Sequence, residues 1–212
     1  MRDAYHEQLD SVGHTLVEMA GLVGQALSRA TRALLDADLE VAEAVISADN
    51  AVDHLHRELD VRALDLMARQ QPVAGDLRTL ITSLRMSADL ERMGDLARHI
   101  AKIARMRYPD CALPENLRAT ISEMSEIGVR LAGKVGQLIE GKDVAAAKSL
   151  EADDDAVDHL HRTVFETLLA KDSPYSIETA IDITLLSRYY ERYADHAVSV
   201  ANRLVFLVTG EQ

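Results

Sequence analysis

Apolar residues recur along the chain in steps of three and four, the period of a helix packed on one face. From Leu9 they fall at Val12, Leu16, Met19, Val23, Leu27, Ala30 and Leu34. A turn at Asp36-Ala37-Asp38 follows, with Asp38 placed as an N-cap. The second stripe runs through Val41, Val45, Ala48, Val52, Leu55, Leu59 and Leu66, until Gln70-Gln71-Pro72 breaks it. A third carries Leu77, Leu80, Ile81, Leu84 and Ala88 and continues past Ile100 toward Met106. Pro109-Asp110-Cys111-Ala112-Leu113-Pro114 reads as a linker. The fourth stripe holds Ile121, Met124, Leu131, Val135, Leu138 and Ile139 and stops at Gly141. Asp143 caps the fifth, which ends near Ala170, and Ser173-Pro174 opens the sixth. The pattern predicts an all-α fold of six helices of roughly 25–35 residues. Short turns make neighbours antiparallel, giving two tandem three-helix bundles, residues 1–108 and 115–212, joined by the linker 109–114.

The polar positions show that the two bundles are repeats. Val52-Asp53-His54-Leu55-His56-Arg57 returns unchanged as Val157-Asp158-His159-Leu160-His161-Arg162. Each copy has an aspartate four residues before its own, Asp49 and Asp154. An offset of 105 aligns these segments and also Asp38 with Asp143. On the third and sixth helices the offset falls to 100, and Glu91-Arg92-Met93-Gly94-Asp95 meets Glu191-Arg192-Tyr193-Ala194-Asp195. A shorter connection in the second half accounts for the shift.

Composition narrows the packing: 48% of residues are apolar but only 4% aromatic, so Leu, Val and Ala fill the helix interfaces. The formal net charge of -12 argues against nucleic-acid binding through phosphates and against anionic membrane surfaces. It suits cations or basic partner surfaces, and ordinary solubility explains it as well. Cys111 stands alone, which excludes an intrachain disulfide and points to a reducing compartment. The N-terminus has no signal-peptide pattern and the apolar run 204–208 is too short to span a bilayer, so the expectation is a soluble cytoplasmic protein. No Gly-rich phosphate loop, zinc Cys/His spacing or nucleophile elbow occurs, so no enzymatic activity is expected. Met86, Met93 and Met106 are expected to pack, as are Tyr189, Tyr190 and Tyr193.

The acidic residues carry the candidate chemistry. Continuing the stripe Leu77, Ile81, Leu84, Ala88 leads to Glu91 and Asp95, which predicts carboxylates on an inward face. In the second half Ile177, Ile181, Thr184 and Arg188 lead likewise to Glu191 and Asp195. Asp49, Asp53 and His56 form a stripe on the second helix, and Asp154, Asp158 and His161 repeat it on the fifth. A buried unpaired carboxylate costs several kcal/mol, so each must be neutralised, partnered or left wet. Arg57, Arg92, Arg162 and Arg192 are repeated charge partners, with Arg85 and Arg188 as further candidates. Four acids against two repeated arginines leave two negative charges per half, which a bound cation would answer. The Asp-x-x-His spacing makes His56 and His161 additional ligand candidates, whereas His54 and His159 are expected to be exposed. A ferritin-like di-metal carboxylate enzyme and a metal-free helical scaffold with salt-bridged acids remain as rivals.

The tandem repeat, with Glu91-Arg92-Met93-Gly94-Asp95 and Glu191-Arg192-Tyr193-Ala194-Asp195 on the last helix of each half, resembles the PhoU family over essentially the whole chain. The resemblance implies a cytoplasmic accessory protein of the high-affinity phosphate ABC transporter and a negative regulator of the phosphate-starvation response. Its implied partners are the transporter ATPase subunit and a sensor histidine kinase, with the membrane reached only through them, and a second copy in a homodimer. It implies metal ions (iron, zinc, manganese or magnesium) held by Asp49, Asp53, Glu91 and Asp95 in one half and by Asp154, Asp158, Glu191 and Asp195 in the other.

Overall fold

The computed structural model describes residues 2–70, 72–141, 143–171 and 173–210. Gln71 of the predicted break, and Met1 and Gln212 at the ends of the predicted bundles, lie outside them. Six helices follow in order: α1 (Arg2–Asp36), α2 (Leu39–Gln70), α3 (Gly75–Arg107), α4 (Glu115–Gly141), α5 (Val144–Leu168) and α6 (Ile177–Thr209).

Helices α2, α5 and α6 begin at side-chain caps. Ala37 adopts φ 50°, turning the chain so that the Asp38 amide donates to the Ala33 carbonyl at 3.0 Å. Asp38 Oδ1 then accepts from the Val41 amide at 3.0 Å, and Asp143 accepts from the amides of Ala145 and Ala146 at the start of α5. The opening of α6 differs from the expectation. Ser176, not Ser173, is its cap and accepts from the Thr179 amide at 3.0 Å. Ser173 instead closes the turn after α5, its amide donating to the Ala170 carbonyl.

In the first bundle α1, α2 and α3 pack on one another, and in the second α4, α5 and α6 do so. The bundles also meet along two seams, α1 on α4 and α3 on α6. Neighbouring pairs at the first seam, Ala20 with Gly136, Gly24 with Ala132 and Leu27 with Gly128, run in opposite sequence directions. The small residues let the two backbones approach closely there. Helices α2 and α5 touch only their own bundle and form the two outer walls. One hydrophobic cluster draws on all six helices, and Ala112 and Leu113 of the predicted linker are buried in it. The connector is therefore a packed strap, and the bundles share one core.

The α1 stripe is buried as predicted. The α3 stripe is not. Leu77, Ile81 and Ala88 are exposed and Leu84 is half-buried. The buried face of α3 lies one residue round the helix, at Leu80, Ser83, Ser87, Leu90, Gly94 and Ala97. In α6, Ile177 and Ile181 are likewise exposed while Ile183, Leu186, Tyr190 and Ala197 are buried. The reason is that α3 and α6 each serve two interfaces, their own bundle and the seam, so the buried arc is wide and its centre is set by both. Glu91 and Asp95 thus lie at the edge of the core. Met86 and Met93 are core residues as expected, but Met106 is 59% exposed. Tyr190 and Tyr193 are fully enclosed, and half-buried Tyr189 stacks on His99 across the α3–α6 seam.

Candidate functional site

In each bundle the repeated acids lie along the contact between the outer helix and the last helix, a strip termed here the acidic groove of that bundle. In the first half Asp49 and Asp53 of α2 and Glu91 and Asp95 of α3 lie within electrostatic reach of one another. Asp49 is buried against Gly94, where an added Cβ would stand 3.1 Å from Asp49 Oδ1. Burial raises the Asp49 carboxyl above its usual range, and Asp53 and Asp95 add to this, while Arg98 opposes it. Burial also raises Glu91, helped by Asp95.

Arg98 sits in the middle of this group. Its Nη1 stands 2.5 Å from Asp49 Oδ2, and its Nη2 donates to Asp95 Oδ1. Arg92 takes the other oxygen of Asp95 at 3.0 Å. Two guanidinium groups therefore occupy both oxygens of one acid and one oxygen of another. His56 Nδ1 is 3.0 Å from Ser87 Oγ, and its Nε2 is 3.7 Å from Asp60. Arg57 turns away from the acids and donates to the backbone carbonyl of Asp53.

The second half repeats the acids but not the cations. Asp154, Asp158, Glu191 and Asp195 again lie within electrostatic reach. Arg188 pairs with Glu191, Arg162 donates to the carbonyl of Asp158, and Arg192 is exposed. Glu191 Oε2 and His161 Nδ1 are buried without a hydrogen-bond partner. Burial lowers the His161 pKa, favouring the neutral ring that a metal needs. Burial together with Asp195, Asp158 and Asp155 pushes Asp154 up to about 6. Asp153 faces the other way and is held by Lys134 at 2.8 Å and Arg130 at 3.1 Å. His54 and His159 are exposed, as expected from their place on the helix.

Among the described residues no three acidic, histidine or cysteine side chains stand close enough to hold one metal ion together. The first half does not fit a metal as it stands, because Arg92 and Arg98 already hold two of its four acids, Asp49 and Asp95. The second half fits better: it has carboxylates that raise one another's pKa, a buried carboxylate oxygen without a partner and a neutral imidazole beside them. In the second half Arg188 holds one oxygen of Glu191, and the other three acids form no ion pair among the described residues.

A consequence can be measured on protein stripped with a chelator. The folded chain binds the Asp154 proton more tightly than the unfolded chain, whose carboxyl titrates near 4. The contribution of this one group to stability is thus full below about pH 4 and is lost as pH rises through about 6. Asp154→Asn is expected to raise the urea midpoint at pH 7.5, corresponding to about 1 kcal/mol of added unfolding free energy after allowing for solvent screening, and to change little at pH 4. A lower midpoint for Asp154→Asn at pH 7.5 would contradict this electrostatic picture.

Two groups of residues were missed by sequence reasoning. Arg98 had a local signal, since it lies three residues after Asp95 on the same helix, where oppositely charged side chains meet. The other group sits on the α3–α6 seam. Buried Asp89 is 3.1 Å from His196 Nδ1 and 2.5 Å from Arg203 Nε. Arg107 reaches Asp182 and Glu178 on the same seam. These contacts join residues 71 to 114 positions apart, and no spacing within a helix reveals them.

A family model described as the PhoU domain matches residues 16–104 and again residues 121–204. The chain is 46% identical over 210 residues to "Phosphate-specific transport system accessory protein PhoU homolog 2" of Mycobacterium tuberculosis, covering 99% of both chains. It is 31% identical to the PhoU homolog of Pseudomonas aeruginosa, covering 97% of this chain and 86% of that one. The crystal structure of the phosphate transport system regulatory protein PhoU from Streptococcus pneumoniae superimposes with a TM-score of 0.86 at 25% identity, over 98% of each chain. That of PhoU from Pseudomonas aeruginosa gives 0.86 at 26% identity, over 98% of this chain and 100% of that one.

Proposed function

The chain belongs to the PhoU family, and on that premise we propose that it is a non-enzymatic accessory protein of a phosphate-specific transport system that represses the phosphate-starvation response. The observation that carries this reading is the 46% identity, spread over 99% of both chains, to a protein named as an accessory protein of a phosphate-specific transport system. Both repeats match the family, so the likeness is not confined to one bundle. In this reading the chain works in the cytoplasm and couples the transporter ATPase subunit to a sensor histidine kinase, holding the kinase in its signal-off state when phosphate is plentiful. No helix among the described residues is long and apolar enough to cross a membrane, so contact with the membrane would run through those partners.

The metal part of the proposal is confined to the second half. Asp154, Asp158, Glu191 and Asp195 would hold a cation, with His161 as the nitrogen donor. A bound divalent ion would supply charge neutralisation and draw α5 toward α6, a structural and not a reactive role. The outer helix α5 contacts only α4 and α6, so its position is the one such an ion could shift.

The test is a deletion strain grown in excess phosphate. Constitutive expression of phosphate-scavenging genes, reversed by the full chain, is expected. Co-purification from phosphate-replete cells should recover the transporter ATPase or the sensor kinase. Normal repression in the deletion strain, together with recovery of neither partner, would sink the proposal.

A further inference from the structure

We propose that Arg98 is the resident cation of the first acidic groove and closes it to metal ions, so that the chain has one metal-accepting half instead of two. The inference shares with the functional reading only the kind of occupant that is kept out. Its basis is the difference between two grooves built from the same repeat.

The acids correspond in sequence, but Asp49 and Asp95 are buried whereas Asp154 is half-buried and Asp195 exposed, and the residues around them differ. With the offset of 100 between α3 and α6, Arg98 corresponds to Val198, Lys102 to Asn202 and Gly94 to Ala194. Arg98 spans the groove from α3, one nitrogen on Asp49 of α2 and another on Asp95. Both carboxylates are largely enclosed, with side chains 6% and 12% exposed. Lys102 also acts electrostatically on Asp49. Gly94 lets α3 and Asp49 approach closely enough for the bridge, since a Cβ there would crowd the Asp49 carboxylate. Arg92 and Arg98 thus form three ion pairs with the acids of the first groove, with Lys102 acting at longer range, whereas among the described residues Arg188 forms the one ion pair with those of the second.

A guanidinium cannot give up its charge at any ordinary pH. A metal ion entering the first groove must therefore expel Arg98 or bind beside it, and either course is opposed by charge. In the second groove Arg188 holds one oxygen of Glu191, but among the described residues no guanidinium bridges two of its acids, and a half-buried Val198 stands in place of Arg98.

The experiment uses the full chain, purified without an affinity tag, and titrates Mn²⁺ by calorimetry with the spin resonance of bound Mn²⁺ as a second readout. The double variant Asp154→Asn/Glu191→Gln disables the second groove. With Arg98 in place, this protein is expected to bind no Mn²⁺ in the micromolar range. Adding Arg98→Val should create one site at least tenfold tighter than any residual binding, and adding Asp53→Asn should remove it again. Arg98→Gln, which keeps a donor toward Asp49 without the charge, serves if the valine chain does not fold. Micromolar binding by the double variant that is lost on adding Asp53→Asn would overturn the inference. No gain with either Arg98 substitution would also overturn it. Wild-type binding that disappears in the double variant tests the metal reading separately, and its absence would remove that reading while leaving the Arg98 comparison decisive.

Discussion

A protein carrying His196→Ala and Arg203→Ala is expected to lose about 3 kcal/mol of folding stability at pH 7.5, the lower end of what breaking a buried ion pair costs. The two side chains reach from α6 to Asp89 on α3, whose carboxylate is only 12% exposed. Burial by itself would raise the Asp89 pKa, but the hydrogen bonds from His196 and Arg203 outweigh it and hold the group below its usual range. A carboxylate with a depressed folded pKa contributes stability above its unfolded value, near 4, and loses it as pH falls through the folded value. The difference between wild type and the double variant is therefore expected to narrow as pH is lowered through 4. Urea unfolding at several pH values measures this. Adding Asp89→Leu should recover most of the loss, because no charge is then left stranded in the seam. A triple variant as unstable as the double one would show that packing, and not the stranded charge, sets the cost.

At the other seam the expected effect comes from volume. Leu27 on α1 is fully buried, and Leu27→Ala is expected to cost about 3 kcal/mol in transfer and cavity terms. Gly128 on α4 faces it directly: an added Cβ would stand 2.5 Å from Leu27 Cδ2 and 3.5 Å from the Tyr193 ring. Gly128→Ala by itself is expected to destabilise by about 1 kcal/mol, crowding outweighing the gain in helix propensity. In the Leu27→Ala background the same substitution should be stabilising, since its methyl group enters the space that the leucine left. That change of sign is a coupling energy, read from the four proteins of the cycle by denaturant unfolding. Additive effects would mean that α1 and α4 move apart to accommodate each change. Both predictions concern the seams because the bundles share one core, so weakening either seam is expected to unfold the chain as a unit.

The features readable in the sequence are those that depend on neighbours along one helix. The α1 stripe from Val12 to Leu34 needs only its period of three and four to be recognised, and all of its residues are buried. Asp38 and Asp143 cap α2 and α5 through contacts two or three residues away. The duplicated hexapeptide and the paired Glu-x-x-x-Asp segments identified the family and the two grooves, and exposure of His54 and His159 followed from their angular place on the helix. Even the Arg98 bridge to Asp95 is a local i, i+3 pair.

Contacts between helices decided the rest. Periodicity shows that α3 has an apolar stripe, but the seam with α6 rotates the buried arc away from Leu77 and Ile81 and puts Glu91 and Asp95 at its edge. The repeat shows two sets of four acids, yet it cannot show that Arg98 reaches Asp49 on another helix or that Val198 leaves the equivalent position without charge. Counting charges along the chain treats every arginine as equally near, whereas an ion pair depends on distance and burial, and helix packing sets both. The chain alone thus established six helices, their duplication and the acids between them. The tertiary structure bridged two acids of one groove with an arginine and left the other groove without such a bridge, because only packing brings a side chain from one helix against a carboxylate on the next.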